Sequence, residues 1–148
     1  MIGPYRILSS CIIIILTVLA AATALAGTSG RIDCDIQRSA CVMLSDSGMQ
    51  VVFDVIPRPV KAMQELEYIV TLTVRGRPVS GASLLLDLSM PGMFMGNNQP
   101  KLNEEQGGRY RGRGVIPACS TGTKTWKALI AIAHGGQIEK VTFQFEVK

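Results

Sequence analysis

The stretch Leu66-Glu67-Tyr68-Ile69-Val70-Thr71-Leu72-Thr73-Val74 decides the fold of this chain. Apolar side chains occupy every second position of the stretch, which is the period of a β-strand with one buried face. Arg75-Gly76-Arg77-Pro78 follows at once, and glycine with proline at such a point is typical of a turn. The stretch therefore predicts a strand that lies against a core and then reverses direction.

Short runs of β-branched or alternating apolar residues recur on both sides of this strand. We predict further strands at residues 41–44, 51–56, 82–88, 100–103, 109–116, 125–133 and 138–147. Turn signals separate them roughly every 8 to 12 residues, and no helical period follows the N-terminal segment. The pattern predicts an all-β fold, an antiparallel β-sandwich of seven or eight strands.

The N-terminal segment is almost wholly apolar from residue 7 to residue 26, and Arg6 precedes it. Ala24-Leu25-Ala26 matches the small-x-small pattern of signal-peptide cleavage, although the segment is also long enough to cross a bilayer as one apolar helix. We interpret residues 1–26 as a signal peptide or an N-terminal membrane anchor, residues 27–40 as a linker and residues 41–148 as one domain. Because Arg6 favours a cytoplasmic N-terminus, we expect an extracytoplasmic, periplasm-facing domain, either anchored or released after cleavage.

Three of the four cysteines follow this segment, at Cys34, Cys41 and Cys119. In an oxidising compartment, one disulfide among three cysteines leaves one thiol. Cys34 and Cys41 are close in sequence, so a local disulfide between them is the simplest pairing and leaves Cys119 free. The sequence does not exclude the two other pairings.

Charge and motif content narrow the classes of function. The formal net charge of +4 is too small to indicate nucleic acid as a partner. Arg109, Arg111 and Arg113 share one face of a predicted strand, which indicates a solvated face, with contact to anionic headgroups as the alternative. The single histidine, His134, lies in a glycine-rich turn, and the chain shows no serine elbow, metal-binding histidine pair or phosphate loop. We therefore predict that the protein is not an enzyme.

Three of the seven methionines lie in the segment Met90-Pro91-Gly92-Met93-Phe94-Met95. The central Pro-Gly pair meets the requirement of a type II turn, which would bring Met90 and Met93 within about 7 Å of each other. If the chain then remains extended, Met93 and Met95 share one face and Phe94 points to the other. Thioethers prefer Cu(I) among biological metals, so these methionines are a candidate copper site. The alternative is that they fill gaps in the core or contact a partner.

Strand direction adds two candidate ligands to this segment. If each predicted strand crosses the domain once, the methionine segment, Cys119, Met63 and Cys41 fall at one end of the sandwich. His134 falls at the opposite end. We call the first end, defined by residues 90–95 and Cys119, the sulfur pole, and we consider Met63 and Cys119 further candidate ligands.

Three segments of the chain resemble the YtkA-like domain family, and the similarity extends over residues 51–147. The segments are Asp87-Leu88-Ser89-Met90-Pro91-Gly92-Met93-Phe94-Met95-Gly96-Asn97, Gly108-Arg109-Tyr110-Arg111-Gly112 and Lys124-Thr125-Trp126-Lys127-Ala128. The family consists of small extracytoplasmic immunoglobulin-like domains, often tethered to a membrane and related in outline to copper-handling and oxidase-assembly accessory proteins. The resemblance implies an immunoglobulin-like sandwich and a candidate ligand role for Met90, Met93 and Met95.

These observations lead to two expectations of function. The first is a non-catalytic domain that binds Cu(I) through Met90, Met93 and Met95, with Met63 or Cys119 as further ligands, in copper handling or oxidase assembly. Its partner would be a membrane protein or a copper-receiving protein. The second is a metal-free interaction module that docks against a membrane protein through the apolar tip at residues 90–95.

Overall fold

A computed structural model describes residues 34–148. The expected signal peptide or anchor at residues 1–26, with its apolar helix, lies outside the described residues. So does the first part of the expected linker, up to residue 33. Within residues 34–148, no helix has the length and apolar character needed to cross a membrane.

The described chain is all-β and forms two antiparallel sheets, which confirms the predicted fold class. Its strands are β1 (Cys41–Leu44), β2 (Gln50–Ile56), β3 (Glu65–Val74), β4 (Arg77–Pro78), β5 (Ser83–Ser89), β6 (Asn103–Glu105), β7 (Arg109–Val115), β8 (Thr125–His134) and β9 (Gln137–Glu146). The six-stranded sheet has the order β1-β2-β3-β7-β6, with β4 beside β3. The three-stranded sheet has the order β5-β8-β9.

The two sheets pack face to face around one core. Phe53 on β2 stacks on Phe143 of β9, with ring centroids 5.4 Å apart. Trp126 on β8 and Tyr68 on β3 are fully buried in the same core. Leu66, Tyr68, Val70 and Leu72 of β3 are fully buried, so the period of two in the sequence selects the face that lies against the second sheet. Ile69, on the opposite face, is also buried, and Val74 at the end of the strand is exposed.

One predicted strand is displaced, because residues 100–103 do not form a strand as a unit. The observed strand β6 begins at Asn103, and residues 100–102 cross the inner side of β7. A Cβ atom at Gly112 would overlap with the carbonyl oxygen of Lys101, and one at Gly114 would lie 3.1 Å from Pro100. The glycines of β7 thus leave room for a segment that closes the sandwich at this edge. The short strand β4 also lies where the sequence predicts only a turn.

Tyr110 joins β7 to the connection between β4 and β5. Its hydroxyl donates a hydrogen bond to the carbonyl of Val79 at 3.1 Å and accepts one from the amide of Ala82 at 3.0 Å. The preceding Gly108 has a φ of +70°, and a Cβ atom there would lie 2.7 Å from the carbonyl oxygen of Leu72. A packing role therefore accounts for both residues of the Gly-x-Tyr segment.

The arginines of β7 lie on the outer face of the larger sheet and are paired with carboxylates. Arg111 bonds to Glu67 and Glu105, Arg113 bonds to Glu67 at 2.9 Å, and Arg109 lies 3.5 Å from Glu105. Partial burial raises the pKa of Glu67, but hydrogen bonds and attraction from Arg111 and Arg113 outweigh it, so the pKa lies below its usual value. This pairing explains the arginine stripe as a solvated, charge-balanced face.

Cys34 and Cys41 form a disulfide with their Cα atoms 5.6 Å apart, and Cys119 is a free thiol. The segment that the disulfide closes packs on the sandwich: Ile36 is fully buried, and the Gln37 side-chain amide bonds both backbone groups of Val60. Residues 34–40, which the sequence assigns to a linker, therefore extend the domain beyond Cys41.

Candidate functional site at the sulfur pole

The connections between strands differ in length at the two ends of the sandwich. Residues 57–64, 90–102 and 116–124 form long connections, and these lie at the sulfur pole. Residues 45–49, 75–76, 106–108 and 135–136 form tight turns at the opposite end, which we call the turn pole. Binding residues are commonly found on long loops that a rigid scaffold positions. The sulfur pole therefore carries the loops on which a binding site is expected.

The methionine segment begins with the predicted turn. The amide of Met93 donates a hydrogen bond to the carbonyl of Met90 at 3.2 Å, and Gly92 has a φ of +76°, as the third position of a type II turn requires. Asn98 then fixes the end of the loop: its carbonyl accepts a hydrogen bond from Leu88 at 2.9 Å, and its side chain donates one to Val115 at 3.1 Å. The loop is thus held to both sheets.

Burial separates the three methionines of this loop. The Met90 side chain is only 3% exposed and belongs to the core. Met93 and Met95 are half-buried, whereas Phe94 between them is 86% exposed. The predicted alternation after the turn is therefore present, with Met93 and Met95 sharing one environment. Met90 lies beneath the turn and is not presented at the surface with them.

Cys119 meets Met93 at the sulfur pole. Its Sγ atom lies 3.8 Å from the Sδ atom of Met93, so the two sulfur atoms are in contact. Met63 is held at the same pole, since its amide donates a hydrogen bond to the carbonyl of Ile116 at 2.8 Å, and its side chain is 71% exposed. The prediction that strand direction brings these sulfur-bearing loops together is confirmed.

The loop after Cys119 stabilises its thiolate form. The Thr121 hydroxyl lies 3.0 Å from Sγ and 3.2 Å from the hydroxyl of Thr123. The Thr121 side chain, and after it the backbone amides of Thr121, Thr123 and Gly122, lower the pKa of Cys119, although partial burial opposes them. A lower pKa raises the fraction of thiolate, which is the form that binds metals. Thr121 is not among the site residues predicted from the sequence, and the signal for it is the hydroxyl-rich run that directly follows the cysteine.

An open cleft of about 250 Å³ lies beside Cys119. Its apolar lining includes the edge of Trp126. Two lysines, Lys124 and Lys148, also line it. The free thiol is therefore accessible from a concave surface that carries positive charge.

The turn pole contains His134, as predicted. This residue ends β8 and pairs with Gln137 across the tight turn of the last hairpin. Within residues 34–148, no group of three or more His, Cys, Asp and Glu side chains is arranged to hold a metal ion. The candidate ligands in this part of the chain are the sulfur atoms of the sulfur pole.

Comparison with known proteins identifies no relative of this chain. No protein-family model matches the chain, and no curated protein and no solved structure matches it. The resemblance to YtkA-like domains consequently rests on the three segments quoted above.

Proposed function

We propose that this chain is a non-catalytic, extracytoplasmic domain of the YtkA-like, immunoglobulin-like type that binds Cu(I) as cargo in copper handling or oxidase assembly. The observation that carries the proposal is the contact of 3.8 Å between the Sδ atom of Met93 and the Sγ atom of Cys119. These are soft donors from two different loops, close enough for one ion to contact both. Such donors select Cu(I) over metals that prefer oxygen ligands.

The other sulfur atoms contribute unequally to this proposal. Met95 is half-buried and packs against the core as Met93 does, which makes it the third ligand we favour. Met63 is exposed and can approach from the neighbouring loop. Met90 ranks last, because its side chain is packed in the core beneath the turn.

The mixture of donors suits an ion that must be passed on. Thioethers are neutral and bind without losing a proton, whereas a thiolate supplies negative charge that strengthens binding. With only one thiolate in the set, we expect weaker and more exchangeable binding than at a site built from several cysteines. A membrane protein or a copper-receiving protein would be the partner.

The disulfide supports the proposed location. Cys34 and Cys41 are bonded to each other, and such bonds persist in oxidising compartments such as the periplasm. Retention of the N-terminal segment would tether the domain to the membrane. Its removal would release the domain.

A metal-free docking module is the second candidate function. It is favoured by the exposure of Phe94 and Met63, two large apolar side chains on neighbouring loops of the sulfur pole. In this alternative the methionines supply adaptable apolar surface and bind no metal.

Anaerobic titration of the purified protein with Cu(I), against a competing chelator, tests the first proposal. The variant with Met90, Met93 and Met95 replaced by leucine keeps the volume and apolar character of the loop and removes three soft donors. We expect it to remain folded and to lose at least about tenfold in affinity. A control variant, Met43→Leu with Met49→Leu near the turn pole, should bind like the parent, and Zn(II) should not compete.

The same variants separate the two candidate functions. If the triple leucine variant binds Cu(I) as tightly as the parent, the copper proposal is wrong. Docking through an apolar tip would survive that substitution but would be lost on replacement of Phe94 by aspartate.

A further inference from the structure

Two exposed lysines, Lys124 and Lys148, line the cleft beside Cys119. Within residues 34–148, every ion pair is formed by an arginine, so Lys124 and Lys148 have no carboxylate within 4.0 Å. No aspartate or glutamate lines the cleft. The nearest acidic residue in sequence, Glu146, is exposed and is not part of the lining.

Two of the three loops around the cleft are uncharged over most of their length, and the third places the exposed Lys61 next to Ala62 of the lining. The methionine segment is uncharged from Leu88 to Pro100, and the loop that contains Cys119 is uncharged from Gly114 to Thr123. An uncharged apolar surface does not compensate the field of nearby charges. An approaching molecule therefore meets two lysine side chains next to the sulfur pair, and the lining supplies no aspartate or glutamate side chain.

The shape of the cleft limits what can enter it. At about 250 Å³ it holds one or two side chains, with the edge of Trp126, Pro117 and Val147 as apolar lining. Cys119 lines this cleft and also contacts Met93. The cleft thus leads from solvent to the candidate ligands.

We propose that the protein which exchanges Cu(I) with this site docks an acidic segment beside Lys124 and Lys148. This inference rests on the proposed function and names the chemistry of the partner. In the exchange the copper remains Cu(I), and its bonds to the sulfur atoms of Cys119 and Met93 are replaced by bonds to soft donors of the partner. The vacated Cys119 thiolate takes a proton from water or remains ionised, and no electron is transferred.

Peptide acceptors of different charge test this inference. Three synthetic peptides share a Met-Gly-Met core, which supplies the soft donors, and carry flanking aspartates, serines or lysines. Each is mixed with the Cu(I)-loaded full chain labelled with ¹³C at its methionine methyl groups, and the exchange rate is measured by NMR from the Met93 and Met95 signals. We expect the acidic peptide to exchange copper about tenfold faster than the neutral one, with the difference shrinking in high salt.

A pair of double variants makes the test specific to the cleft. In Lys124→Ala with Lys148→Ala, the acidic and neutral peptides should exchange at equal rates, whereas the affinity for Cu(I) should be unchanged. In Arg77→Ala with Lys140→Ala, which removes the same charge away from the cleft, the preference for the acidic peptide should persist.

Each outcome bears on a different proposal. Equal rates for all three peptides with the parent protein, or equal loss of preference in both double variants, would overturn the acidic-partner inference and leave copper binding intact. A parent protein that takes up no Cu(I) would instead refute the proposed function.

Discussion

The sulfur pole and the turn pole are built from the same strands, yet they differ in what connects those strands. At the turn pole, glycines with positive φ, such as Gly76 and Gly136, reverse the chain within a few residues and leave little room for other side chains. At the sulfur pole, longer connections bring Met93 and Cys119 into contact from distant parts of the sequence. The long loops of the chain therefore lie at one end of the sandwich, and the candidate soft donors lie on those loops.

The largest expected effect concerns the scaffold on which both poles depend. Gly112→Ala places a Cβ atom against the carbonyl oxygen of Lys101, a backbone group that cannot rotate away. We expect the free energy of unfolding to fall by about 3 kcal/mol. Urea unfolding monitored by the fluorescence of the buried Trp126 measures it. Gly114→Ala, which faces a proline ring at 3.1 Å, should cost less, and equal losses would contradict this account.

The next largest effect is on Cu(I) affinity, which should fall on substitution at the sulfur pole and remain unchanged on substitution at the turn pole. Met93→Leu and Cys119→Ser each remove one of the two sulfur atoms in contact, so we expect each to lower Cu(I) affinity at least about tenfold. Met90→Leu should lower it less than about threefold, because that side chain is buried in the core. His134→Ala at the turn pole should have no effect. Competition with a Cu(I) chelator measures the affinity of all four variants. If His134→Ala lowered the affinity most, the copper site would lie at the turn pole and not at the sulfur pole.

A smaller effect is expected from the turn that presents Met93. Gly92 has a φ of +76° with open space around it, so Gly92→Ala strains the backbone without a clash. We expect a stability loss of about 1 kcal/mol and a fall in Cu(I) affinity of a few fold, with every sulfur atom still present. Gly136→Ala, at a similar φ in the turn pole, is the matched control and should lose stability only. Unchanged copper affinity in Gly92→Ala would show that the turn does not position the ligand.

The smallest expected effect concerns the acidity of Cys119. Because hydrogen bonds from Thr121 lower the pKa of this thiol, its alkylation by iodoacetamide should reach half of its maximal rate at a lower pH than that of a free cysteine. Thr121→Val removes the hydroxyl and should move that midpoint to higher pH. Ser120→Ala should leave it in place. Both are measured in a Cys11→Ser background, and a midpoint unaffected by Thr121→Val would leave the hydroxyl without a role.

Most of the fold could be predicted because strand period and turn residues act locally. The alternation from Leu66 to Val74 and the glycine turn that follows required no knowledge of distant residues. The features that were not predicted are those in which contact with a distant segment of the chain decides the local conformation or the burial of a residue. Residues 100–102 include apolar positions but do not pair as a strand, because they lie against the inner face of β7. In the same way, the sequence assigns Ile36 to a linker, because only the packed core shows that this side chain is buried.

For the candidate site, the sequence by itself determined the type II turn and the alternation of Met93 and Met95 about Phe94, since each depends on residues close together in the chain. It favoured the local Cys34–Cys41 pairing without excluding the two others, and the structure decided between them. Only the tertiary structure decided that Met90 is buried, that Cys119 touches Met93, and that Thr121 lies against the thiol in a cleft with two lysines. The physical reason is that burial and contact between loops depend on how two sheets pack. That packing is a property of the whole core and is not encoded in any single segment.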